Sequence, residues 1–181
     1  MLGAKQDFAA LTTLRAIGAL CVVQYHAWLF VYPAWPESWV FHGIELWPDY
    51  FFALSGFILM HVYGSTLFLR KDGPYNYFVH RVARIYPLHI FVLAILIIFE
   101  ALRWTLSLWY PDSNGNFFSG NTSPMYIFTN LLLVQAWGIQ HTNSWNVPAW
   151  SVSAEFACYL IFPLLVRYSL VTRKATAIAL A

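Results

Sequence analysis

Arg15 and His26 stand in an otherwise apolar run from Phe8 to Val31. An ionisable side chain inside a bilayer costs about 2.5–3.5 kcal/mol on insertion scales, so each one is a candidate for function. The two are 11 residues apart; at about 100° per residue that is three turns and about 20° more. They therefore share one helix face, separated by about 16 Å along the axis. Gln24 and Tyr25 adjoin the histidine. An imidazole titrates near neutral pH and can move protons. The simpler reading is a snorkelling arginine and a histidine hydrogen-bonded between helices.

Arg81 and Arg84 form a second pair, at i and i+3 on one face, just before Pro87. Two guanidinium forks at the mouth of a helix suit phosphate groups; the alternative is a positively charged anchor at the membrane surface. Glu155 follows Pro148 by about two turns and lies in an apolar helix with no cation near it in sequence. Such a carboxylate requires a partner from another helix, and Arg15 or His26 would serve; otherwise it is a helix-start acid favoured by the dipole. Glu100 and Arg103 read as a mutual ion pair. Asp49 reads as a helix-start carboxylate and His61 as bundle-facing. Ser55 and Gly56 read as small residues that let helices approach.

The elements that must carry these groups follow from composition. Of 181 residues 60% are hydrophobic and only 10% are charged, where a soluble protein carries roughly 25% charged residues. So few charges cannot clothe a water-soluble surface, and the chain is expected to be an all-α, polytopic transmembrane bundle. A bilayer-spanning helix requires about 20 mostly apolar residues. Five segments qualify or nearly do: about Phe8 to Val31, Leu46 to Leu69, Arg84 to Trp109, Met125 to Ile139, and Pro148 to Val171. The first carries Arg15, Gln24 and His26 and lacks a cleavage signal, so it reads as a retained helix.

Lys5, Arg15, Arg70, Lys71, Arg81 and Arg84 mark the cytoplasmic side, while the loop from Tyr32 to Glu45 has no Lys or Arg and faces outward. The N-terminus is therefore cytoplasmic. If Met125 to Ile139 spans, Arg167, Arg173 and Lys174 fall outside; if it re-enters, they are cytoplasmic. Cys21 and Cys158 lie in apolar runs and read as small buried hydrophobes, with neither a disulfide framework nor a metal site. No basic patch is dense enough for nucleic acid.

Taken in order, four blocks resemble the acyltransferase-3 family of membrane O-acetyltransferases. Leu14-Arg15-Ala16 followed by His26 is similar to its Arg, ten residues, His pattern. Asp49-Tyr50-Phe51-Phe52-Ala53-Leu54-Ser55-Gly56-Phe57 looks like its D-x-F-F-x-L-S-G-F block. Arg81-Val82-Ala83-Arg84-Ile85-Tyr86-Pro87 is similar to its R-x-x-R-I-x-P motif, and Trp150-Ser151-Val152-Ser153-Ala154-Glu155 to its W-S-x-S-x-E block. The resemblance covers residues 10–163. Family members are expected to have about ten spans, so residues 1–181 are expected to form the N-terminal part of one acyltransferase domain.

The resemblance implies transfer of an acyl group, usually acetyl, from cytoplasmic acyl-coenzyme A to a hydroxyl of a carbohydrate or lipid-linked glycan, in a bacterial inner (plasma) membrane. Acyl-coenzyme A would be the donor and no metal is required. Arg81 and Arg84 would hold its diphosphate, with Arg15 in reach from the cytoplasmic end of its helix. His26 would be the general base or carry the acyl group covalently, and Glu155 would orient and stabilise the imidazole. Membrane lipids and either a C-terminal half or a second copy would complete the surroundings. The other readings are a non-catalytic transport or scaffold component, whose His and Glu mark a solute or proton path, and an inactive fragment.

Overall fold

The computed structural model describes residues 9–31, 43, 46–69, 71–110, 115–140 and 142–179. They form five α-helices and one short 3-10 turn, and among the described residues there is no strand. The helices are α1 (Ala9–Val31), α2 (Trp47–Tyr63), α3 (Gly73–Ser107), α4 (Met125–Leu131) and α5 (Ala149–Ala179). Among the described residues two helical stretches, Gly73–Ser107 and Ala149–Ser169, are long and apolar enough to cross a membrane. The chain divides into two compact units, Met1–His61 and Val62–Ala181. Lys5, Arg70 and nearly all of the 32–45 loop, used above for orientation, lie outside the described residues.

In the first unit α1 meets α2 at Gly18. A Cβ on Gly18 would overlap the indole of Trp47 and come within 2.8 Å of the Phe51 ring. Gly56 does not share this role, since a Cβ there would meet nothing within 4 Å. Ser55 does, but as a polar partner: the Arg15 guanidinium donates to its hydroxyl at 3.3 Å.

The second unit is built on α3 and α5. Tyr77, Leu93, Tyr159 and Val166 are almost completely buried there. The helix α3 starts eleven residues before the apolar run proposed for it, at Gly73. Asp72 stands at its N-cap position, without a side-chain capping bond, and proline stands in its first turn, where a missing N–H costs nothing. At 35 residues it is about 52 Å long, well beyond the roughly 30 Å hydrocarbon core. Its first turns can therefore lie outside the apolar layer, and their polar residues did not betray a helix by hydropathy alone. Cys158 departs from the expectation as well: it is exposed, and Cys21 is half-buried.

The stretch from Met125 to Ile139 is not one helix. The α4 element has 7 residues, about 10 Å, too short to cross. Beyond it the described residues, 132–140 and 142–148, form turns, bends and irregular backbone, and side chains bond several of their backbone groups. Ser153, fully buried, donates to the Leu133 carbonyl at 2.7 Å and accepts from the Ala136 N–H at 3.1 Å. Leu133 itself has φ 55°, a conformation few side chains adopt. Gln135 donates to the Ala149 carbonyl at 3.1 Å, and the Trp145 indole to the Ser123 carbonyl at 3.1 Å. The His89 imidazole donates to the Asn130 carbonyl at 2.8 Å, and the Tyr86 hydroxyl to the Leu131 carbonyl. Glu100 and Arg103 pair at 2.6 Å as expected. The carboxylate also accepts from the Phe118 N–H and the Thr122 hydroxyl.

Two stability outcomes follow for the detergent-solubilised chain, both read as thermal unfolding. Ser153→Ala strands the buried Leu133 carbonyl and removes the acceptor of the Ala136 N–H, and is expected to cost about 1–3 kcal/mol. Gly18→Leu is expected to cost about 1–3 kcal/mol by overpacking, while Gly56→Ala is neutral or stabilising by up to about 1 kcal/mol. Equal effects at the two glycines would contradict the close approach at Gly18.

Candidate functional site

The guanidinium of Arg81 is half-buried in α3 and is held by rings rather than by a carboxylate. It donates to the Tyr63 hydroxyl at 3.4 Å. Its central carbon lies 5.5 Å from the Tyr63 ring centroid and 5.8 Å from that of Tyr159. Contacts of this kind contribute about 0.5–2 kcal/mol each, more when desolvated. Tyr77 completes the seat. Its ring meets Tyr63 edge-on at 5.1 Å and stacks on Phe162 at 5.5 Å, and its hydroxyl donates to the Tyr159 carbonyl at 3.1 Å. The Nε of Arg81 is buried and makes no hydrogen bond. Arg84, one turn further on, is exposed.

Tyr159 joins this seat to Glu155. Its hydroxyl donates to the Glu155 carboxylate one turn back in α5. The charges of Arg84 and Arg81 both bear on that hydroxyl. The second unit thus brings Arg81 and Glu155 to one buried phenol, with the exposed Arg84 one turn beyond Arg81. The guanidinium pair does not stand at a helix mouth, as the sequence suggested, but in the third and fourth turns of α3. A cavity of ≈ 530 Å³ adjoins the seat, and its walls include Val62, Tyr63, Thr66, Leu67, Tyr77 and His80.

Arg15 and His26 belong to the first unit. Nδ1 of His26 lies 2.8 Å from the Val22 carbonyl, one turn back. A carbonyl can only accept, so Nδ1 carries the hydrogen. In the neutral ring Nε2 then keeps its lone pair. The ring is half-buried, with Tyr25 edge-on at 5.6 Å. The tyrosine seat was missed in the sequence, although a signal was there: Tyr77 precedes Arg81 by four residues, and Tyr159 follows Glu155 by four.

Residues 8–181 match the model of the acyltransferase-3 family, an acyltransferase domain. The chain is similar to Acyltransferase MdmB of Streptomyces mycarofaciens, 38% identical over 118 residues, covering 63% of this chain and 26% of that protein. It is also similar to Protein 2 in picA locus of Rhizobium radiobacter, 30% identical over 164 residues, covering 87% of this chain and 81% of that protein. The chain thus spans about a quarter of the length of the first relative and most of the second. No solved structure matches it.

The two arginines should differ in reactivity. In native membranes a dicarbonyl reagent is expected to modify Arg84 at least several-fold faster than Arg81, because one is exposed and the other is seated among rings. Peptide mass spectrometry against reaction time reads the two rates, and equal rates would contradict the seat.

Proposed function

The chain belongs to the acyltransferase-3 family, and we propose that it transfers an acyl group, acetyl in the first place, from cytoplasmic acyl-coenzyme A to a hydroxyl of a carbohydrate or glycolipid acceptor. The reading sets the protein in a bacterial inner membrane, spanning it several times, with the N-terminus and the Arg81 region on the cytoplasmic side. The observation that carries it is the meeting of the Arg81 guanidinium and the Glu155 carboxylate on Tyr159, beside a cavity and one turn from the exposed Arg84. The cavity is within the usual size range for small-molecule sites, and Arg84 offers a free planar fork to the diphosphate of the donor.

In the proposed reaction Nε2 of His26 accepts the proton of the acceptor hydroxyl as its oxygen attacks the thioester carbonyl. The tetrahedral intermediate collapses, the carbon–sulfur bond breaks, and the imidazolium returns its proton to the leaving thiolate. The Val22 carbonyl supports this, because a histidine already donating through Nδ1 presents the lone pair that a base requires. Glu155 is the second catalytic group, a carboxylate able to balance positive charge as it forms. Arg15, which donates to Ser55, supplies further positive charge for the donor.

The test uses the full-length protein in membranes with labelled acetyl-coenzyme A and endogenous glycans. His26→Ala is expected to lower turnover about 10²–10⁴-fold at matched membrane level. Arg84→Ala is expected to raise the donor KM by an amount equivalent to about 1.5–3 kcal/mol, and Lys to restore only part. Turnover untouched by His26→Ala would remove the histidine from the reaction. A donor KM unmoved by Arg84→Ala would leave that residue as a topology anchor.

A further inference from the structure

Tyr159 is 2% exposed and has three uses. Its ring seats Arg81, its backbone carbonyl accepts from Tyr77, and its hydroxyl donates to Glu155. Phenylalanine would supply the first two, since the ring face and the backbone are common to both residues. The hydroxyl is the part that packing does not account for. A phenol in a buried site requires a hydrogen-bond partner, and this one has taken a carboxylate oxygen on its own helix.

A glutamate has three rotatable bonds and gives up conformational freedom when it is fixed. The phenol removes much of that freedom one turn from the carboxylate. The same ring fixes the height of the Arg81 guanidinium on the neighbouring helix. One buried side chain therefore sets the position of an acid and of a cation together, so that neither group can shift without disturbing the same ring. The other two tyrosines are engaged elsewhere: Tyr63 bonds Arg81, and Tyr77 bonds the backbone.

We propose that Tyr159 is a positioning residue for acyl transfer, its hydroxyl holding the Glu155 carboxylate in register with the Arg81/Arg84 pair while its ring seats Arg81. The proposal rests on the acyl-transfer reading above. It assigns the hydroxyl to the chemical step and the ring to donor binding, so the two can be separated by substitution.

Tyr159→Phe is expected to lower kcat at least tenfold and to leave the donor KM within twofold of wild type. Tyr159→Leu, which removes the ring as well, should also raise the donor KM severalfold. In a Glu155→Asp background, where the carboxylate is withdrawn from the phenol by one methylene, adding Tyr159→Phe should cost less than twofold in kcat. A purely structural role would not produce that non-additivity. The measurements use the full-length protein in membranes, at levels matched by immunoblot. Wild-type kcat in Tyr159→Phe overturns the proposal, as does a full additional loss in the Glu155→Asp background. Failure of Tyr159→Phe to accumulate also overturns it, since the hydroxyl would then serve folding. A wild-type protein that transfers no acyl group removes the functional reading and this proposal with it. Active wild type with an indifferent Tyr159→Phe removes the proposal alone.

Discussion

A polar group taken out of water must find its partner inside the chain, and leaving one buried without a partner costs about 1–3 kcal/mol. In an apolar chain of this kind that requirement decides where the backbone can leave the helix. Among the described residues between Leu132 and Pro148 there is no helix, and side chains take the place of the helical ladder. Ser153 answers a carbonyl and an N–H at once. Its helix neighbour Ala149 gives a carbonyl to Gln135. The irregular segment and the first turns of α5 are thus cross-tied, and those turns carry Glu155. The placement of a catalytic candidate depends on a serine two residues away.

The same requirement explains why Arg81 rests on rings. A carboxylate partner would have satisfied the guanidinium, but it would also have cancelled its charge. Tyrosine faces hold the cation at lower desolvation cost and leave the net positive charge in place. Glu155 is drawn off instead by the Tyr159 hydroxyl. The second unit holds the Arg81 guanidinium against the face of Tyr159 and the Glu155 carboxylate on its hydroxyl, whereas Glu100 and Arg103 are joined directly at 2.6 Å. A structural pair and a site pair are built differently. The first is neutralised, capped by Phe118 and Thr122, and buried on its acid side. The second keeps a free fork on Arg84 and an unpartnered Nε on Arg81.

Much of this was legible in the sequence, and what was not has physical reasons. Helical class, the Glu100–Arg103 pair and the shared face of Arg81 and Arg84 follow from a period of 3.6 and short spacings. The start of α3 was misplaced because hydropathy marks the apolar layer, whereas the helix begins at Asp72, Gly73 and Pro74, which are capping signals. The Met125–Ile139 segment is apolar enough to suggest a span, yet its helix stops after Leu131; the reason lies in Ser153 and Ala136, which are 17 residues apart and have no periodic relation. The contact between Tyr77 and Tyr159 crosses 82 residues, and no local pattern encodes it. Gly56 was read as a packing residue by its type, but Gly18 fills that role, because the bulky neighbours Trp47 and Phe51 happen to face α1.

A further regularity links the two units without reference to how they pack. His26 is tied to the Val22 carbonyl, and Glu155 to the Tyr159 hydroxyl, each across a single turn of its own helix. In a helix the side chain at i meets the turn at i±4 whatever lies outside. Holding a reactive group by its own helix fixes its tautomer or rotamer as soon as the helix forms. Partners on other helices then add to an orientation that already exists. A group that waited for a distant element would be free until folding was complete, and would lose its geometry with any later shift of that element. Local anchoring makes the orientation of His26 and Glu155 a property of α1 and α5, and it leaves the contacts between helices to decide what those residues meet.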